Sequence, residues 1–248
     1  MGTDNIEQRR KAENKEKRKK AKESRKANTR KVIPKILILT EGISEKHYFE
    51  SLKFILDIPN VTVQKSTHTD SYGIVTQAIK LARKAEKEGD FFGYIFCVFD
   101  LDTVKDKRFL EVLVKYNKSN NNTKIIPVYT FPCIELWFIL HFEFYDKPFV
   151  STQLNSIGTN VKDALVNYTP NYYETNESCI NSIAGNYKTA IFNATELFKQ
   201  QQKVDSINPI TNIHQLVLLL IEISNRSNNY QYSFGVDNYI LSKINQSN

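Results

Sequence analysis

Two short, continuous apolar runs, Lys35–Thr40 (KILILT) and Phe92–Phe99 (FGYIFCVF), do most to limit what this chain can become. Neither is long enough for a buried helix, and neither alternates polar with apolar, so each reads as a strand covered on both faces. The intervening segments have helical periodicity. Ser44–Leu56 carries Tyr48, Phe49, Leu52 and Leu56 on one face. Ser71–Glu88 carries Ile74, Val75, Ala78, Ile79, Ala82 and Ala85, with Gly89 as its stop. Val61–Lys65 is read as a further strand, Asp106–Lys118 as a helix, Asn120–Asn122 as a loop, and Thr123–Thr130 (TKIIPVYT) as a strand whose Pro127 places it at an edge. Strands alternating with helices of this length predict an α/β fold with a mainly parallel sheet flanked by helices.

After Pro132 the pattern turns helical. Pro132–Phe142, Ser151–Asn167, Ser178–Gln202 and Asn212–Asn225 are the predicted helices, Pro209 falls just before the last, and Asn225–Asn229 reads as a polar surface turn. Three parts are expected: a basic, mostly solvated arm over 1–32, an α/β domain over 33–131, and a mainly helical C-terminal extension over 132–248 packing on it. With 41% hydrophobic and 12% aromatic residues in 248, the chain can build a sizeable core.

The formal charge of +7 is unevenly placed. Residues 1–31 hold 13 of the 34 Lys/Arg and only 5 of the 27 Asp/Glu, leaving the remainder near neutrality. The arm has helix-forming residues but no apolar face. Its cations, among them Arg9, Arg10, Lys11, Lys17, Arg18, Lys19, Lys20, Arg25 and Lys26, point to nucleic-acid contact through phosphates.

Cys97, Cys133 and Cys179 are odd in number and widely spaced, so they offer neither a disulfide framework nor a CxxC zinc pair. That usage, together with the lack of a long apolar stretch or a signal-peptide core, predicts a cytoplasmic protein without a membrane span.

The chemistry sits at the strand ends. Ligands of open α/β sheets bind outside the carboxyl ends of the strands. The first apolar run ends on Glu41-Gly42, the second on Asp100-Leu101-Asp102. If those strands are neighbours, three carboxylates converge. Such a cluster favours a divalent cation, Mg²⁺ (or Mn²⁺), because like charges at close range disfavour ionisation unless a cation compensates them. Glu45, one helical turn after Glu41, could face the same site or serve as a helix N-terminal acid.

The order strand–Glu-Gly–helix followed by strand–Asp-x-Asp resembles the Toprim domain of topoisomerases, primases and OLD-type nucleases. Three segments, ILTEGISEKHYFESLK, FPCIELWFILHF and NPITNIHQLVLLL, resemble the RloB family of phage-defence proteins over roughly residues 33–225. The resemblance implies a Toprim-like fold and a metal-dependent nuclease that works with an ATPase partner. It assigns Glu41 to the first Toprim acid, Asp100 and Asp102 to the DxD, Glu45 to the second acid of the E-G-x-x-E segment, and Glu135 to the acid of the P-C-x-E-x-W segment. The alternative is a non-catalytic, nucleic-acid-binding or regulatory subunit of that ATPase.

Other candidates carry less. His47 and His141 lie near acidic positions as possible general bases or phosphate contacts, whereas His68 and His214 have no supporting context. The aromatic run Phe131–Phe144 reads as core rather than a base-stacking platform. Lys188 in GNYKTA lacks the adjacent Gly-Lys of a phosphate loop, so any energy-consuming activity needs a partner.

Overall fold

A computed structural model of the chain describes residues 34–101, 108–119 and 121–225, together with Glu16. The chain divides into two units, Met1–Ile33 and Pro34–Asn248, and the fold described here belongs to the second. The cationic arm residues, Asp102 and the predicted turn beyond Asn225 lie outside the described residues.

The elements in order are β1 (Ile36–Thr40), α1 (Ile43–Leu56), β2 (Val61–Lys65), α2 (Ser71–Lys87), β3 (Tyr94–Asp100), α3 (Arg108–Lys118), β4 (Lys124–Phe131), α4 (Glu135–Ile139), α5 (Ile157–Val166), α6 (Glu177–Ala184), α7 (Tyr187–Val204), β5 (Ile210–Thr211) and α8 (Ile213–Ser224). The five strands form one sheet in the order β2-β1-β3-β4-β5. The first four are parallel and β5 is antiparallel. This is the expected α/β architecture, a mainly parallel sheet flanked by helices, and it is consistent with a Toprim-like fold.

The apolar runs are buried on both faces, as their lack of alternation requires. Leu37, Leu39, Ile95, Cys97 and Phe99 pack with Ile74, Ala78 and Ala82 of α2 and with Phe109 and Leu113 of α3. The intervening residues Ile36, Ile38, Phe96 and Val98 are equally buried. Helix α2 starts at Asp70, whose side chain accepts from the Gly73 N–H at 2.8 Å. It stops as predicted at Gly89, which takes φ +73. There the Gly89 and Asp90 N–H groups return to the Glu86 and Ala85 carbonyls, a glycine-terminated closure that a side chain at that φ would strain.

Pro127 does not mark an open edge. Its missing N–H falls on the flank of β4 away from β3, and that flank is closed by side chains and by β5. The Asn117 amide bonds both the N–H and the C=O of Ile125, at 3.1 and 2.7 Å. The Asn212 amide accepts from the Tyr129 N–H at 2.8 Å and donates to the Pro127 carbonyl at 3.4 Å. Two asparagines thus stand in for a neighbouring strand, and β5 completes the flank at Thr130 and Phe131.

The helical extension is more broken than its sequence periodicity predicts. The helix expected over Pro132–Phe142 is only Glu135–Ile139, and just beyond its end the carbonyls of Leu140 and His141 accept from the side chains of Asn193 and Asn186. The run predicted as one helix over Ser178–Gln202 splits at Gly185-Asn186, where Asn186 turns to meet His141. Ser151–Asn167 is helical only from Ile157, after the Ser156 cap, and Pro209 opens β5 rather than α8. Among the described residues, no helix is long and apolar enough to cross a membrane.

Candidate functional site

From β1 the chain runs to β2 on one side, while β3 lies on the other, so the strand order reverses between β1 and β3. Such a switch point opens a crevice at the carboxyl strand ends. Glu41 and Asp100 both stand there. The Glu41 N–H continues the ladder to the Val98 carbonyl at 2.9 Å, and the Asp100 N–H donates to Glu41 Oε2 at 3.2 Å. The neighbour relation that convergence of the acids requires is therefore present.

Gly42 caps α1 without a side chain to offer. Glu45, the third residue of that helix, folds back so that its carboxylate accepts from its own N–H and that of Gly42. A Cβ on Gly42 would run into Glu45 Oε2, so the glycine is there to make room. Glu45 is only 3% exposed. Burial first, and then the charges of Glu135 and Glu41, push its pKa up to about 7. Glu45 therefore caps the first turn of α1 and at the same time lines the cleft beside the other acids.

Glu135 opens α4 directly after β4, and it is 2% exposed despite its charge. The Tyr172 hydroxyl, from the loop 167–176, donates to Glu135 Oε1 at 2.8 Å. Burial, reinforced by the Glu135 charge, raises the Tyr172 pKa and keeps the phenol a donor.

Glu41, Glu45, Asp100 and Glu135 line one cleft of about 270 Å³, whose opposite wall is the first turn of α5 (Ser156, Gly158, Thr159) together with Lys162 and Glu174. Sequence reasoning missed the last two. Lys162 pairs with the Glu174 carboxylate. Burial works against the lysine's charge, but the Glu174 hydrogen bond and the Glu135 and Glu174 charges outweigh it and hold its pKa above the ordinary lysine value. The Glu174 carbonyl also accepts from Ser44 Oγ at 3.2 Å, tying the loop to the start of α1.

The acids of the cleft offer hard oxygen ligands of the kind Mg²⁺ or Mn²⁺ takes, with the buried thiol of Cys133 beside them. Among the described residues, no three Asp, Glu, His or Cys side chains already form a metal-holding group. Mg²⁺ keeps several waters and needs only one or two carboxylates directly, and carboxylates are what Glu41 and Asp100 offer at the strand ends. Asp102, two residues beyond Asp100, is outside the described residues.

The histidines lie elsewhere. His141 is fully buried, with Nδ1 at 2.8 Å from the Trp137 carbonyl and Nε2 at 3.2 Å from the Tyr48 hydroxyl. Burial lowers its pKa to about 4, so it is a neutral packing residue. His47 faces Glu177 at 3.8 Å and does not line the cleft. Of the aromatic run, Trp137 and Phe138 are wholly buried, as core, while Phe142 and Phe144 reach the surface.

No curated protein and no solved structure matches the chain. The sequence profile of the RloB-like proteins matches residues 36–220, from β1 into α8, a span that includes every cleft residue named above. The match extends over most of the sequence, and the chain belongs to the RloB-like family.

Proposed function

We propose that the protein is a Mg²⁺-dependent (or Mn²⁺-dependent) nuclease that cleaves phosphodiester bonds of DNA or RNA in an anti-phage defence system, working with an ATPase partner. Membership in the RloB-like family supports the defence role. The observation that carries the chemistry is the convergence of Glu41, Glu45, Asp100 and Glu135 on one cleft at the reversal of strand order. Buried acids at this density are costly without a counter-charge. In this reading Glu41, Asp100 and Asp102 hold the metal, with Glu45 or Glu135 assisting directly or through water. When bound, the ion supplies Lewis acidity toward a phosphoryl oxygen. Tyr172 orients Glu135, Gly42 gives Glu45 its space, and the Asp100 N–H fixes the Glu41 carboxylate. The cationic arm residues, Arg9 to Lys26, supply sequence-independent contact with nucleic acid.

The test is titration calorimetry with Mn²⁺ and a cleavage assay on labelled DNA and RNA, with the wild type and with Asp100→Asn/Asp102→Asn. The nuclease reading expects heat and cleavage in the wild type and neither in the folded double variant. Undiminished cleavage by that variant would end the catalytic assignment. Nucleic-acid binding with neither metal heat nor cleavage in the wild type would favour a non-catalytic subunit.

A further inference from the structure

We propose that Lys162 is the phosphate-contacting cation of the cleft, and that Glu174 is an internal anion occupying that position until a substrate phosphate displaces it. The inference rests on the phosphodiester reading above and names a residue pair that the acid cluster alone does not supply.

Five carboxylates line the cleft, and among its described lining residues Lys162 is the one cationic side chain. Apart from the metal that the acids would hold, this ammonium is the attractive charge that a nucleic-acid phosphate meets among those residues. The ammonium is already satisfied, because the Glu174 carboxylate bonds it directly. To an ammonium, a carboxylate and a phosphate present the same kind of charged oxygen acceptor. Glu174 therefore imitates the ligand that Lys162 is placed to receive.

The pair is also built to exchange. Both side chains are about half exposed, at 42% and 53%, so neither is locked by packing. The Glu174 backbone is held separately, through its carbonyl and Ser44 Oγ at 3.2 Å. The carboxylate can swing toward solvent while the loop stays in place, and Tyr172 two residues earlier keeps its bond to Glu135. An exposed pair of this kind contributes little to folding, so opening it for a ligand costs the fold little.

The experiment uses the full chain with Mn²⁺ and bis(p-nitrophenyl) phosphate, a diester too small to need the arm. Lys162→Gln is expected to raise KM about tenfold, the effect of removing one charge-assisted hydrogen bond. Lys162→Arg, which keeps the charge, recovers most of that affinity. Glu174→Gln moves the other way and lowers KM about threefold, because the competitor is weakened. Calorimetry with inorganic phosphate, which needs no turnover, gives the same order: weaker in Lys162→Gln and tighter in Glu174→Gln. A Lys162→Gln protein with wild-type KM and phosphate affinity overturns the proposal, as does a Glu174→Gln protein whose KM rises with that of Lys162→Gln. Failure of the nuclease reading looks different. The wild type would then show no diester turnover, while the phosphate titrations would still rank the variants.

Discussion

Tyr172 reaches from the loop before α6 to place its hydroxyl 2.8 Å from Oε1 of Glu135, a carboxylate 2% exposed at the mouth of a short apolar helix. One bond thus joins the helical extension to the acid cluster and supplies a donor to a charge that water barely reaches. Tyr172→Phe should lower stability by about 1–3 kcal/mol, the cost of stripping a buried acceptor of its partner. A urea midpoint equal to that of wild type would show that the bond contributes nothing.

Glu135→Gln keeps an oxygen for Tyr172 and removes one of the charges acting on Glu45. Stability of the metal-free protein should be unchanged or slightly higher, while Mg²⁺ affinity and cleavage fall sharply. Wild-type affinity and cleavage in this variant would reduce Glu135 to a structural acid.

Gly42 and Glu45 should be coupled. Gly42→Ala alone pushes the Glu45 carboxylate out of its capping position and should destabilise by about 0.5–2 kcal/mol, the cost of a lost cap. In a Glu45→Ala background the obstruction is gone, and the same change should cost less than about 0.5 kcal/mol. Additive unfolding energies across the four proteins would refute the close approach.

The acid cluster also predicts a pH dependence. The Glu45 pKa stands near 7 in the fold, against an ordinary value of 4.5. Below the lower value both the folded and unfolded states hold the proton, and this residue favours neither. Between the two values the unfolded chain releases it first, so the contribution of Glu45 to stability declines as pH rises, levelling above about 7. Thermal melts of the metal-free protein should show this fall, and Glu45→Gln should flatten it. A slope unchanged in that variant would assign the dependence to other groups.

Removing residues 1–31 should weaken nucleic-acid binding and flatten its salt dependence, by about 0.7 to 0.9 in log–log slope for each phosphate no longer neutralised. Fluorescence anisotropy across a salt series measures this directly. An unchanged slope would mean that the arm does not touch nucleic acid.

Much of the scaffold was readable because its signals are local. KILILT and FGYIFCVF are strands because nothing else so short is so uniformly apolar, and both end on the acids that the structure brings to the switch point. Glu135 stood out for the opposite reason, as a charge among apolar neighbours. Lys162 gave no such sign, since on an amphipathic helix it looks like any solvated lysine. Glu174, in a polar loop, looks like any solvated acid. Their meaning comes from how α5 and the loop 167–176 fold back over the strand ends, a tertiary fact with no sequence period. The breaks at α4 and at Gly185-Asn186 were hidden for a similar cause. Asn186 at the second break and Asn193 within α7 both reach the backbone just after α4, contacts between positions far apart in sequence.

Asn117 and Asn212 have a consequence for association. A sheet grows by lending its outer N–H and C=O groups to an incoming strand. Along β4 those groups are already spent, on two side-chain amides and on the short β5. Growth by templated pairing is therefore blocked on that flank. At the opposite edge of the sheet β2 spans five residues against the two of β5, so a partner that binds by β-augmentation finds its longer template beside Val61–Lys65.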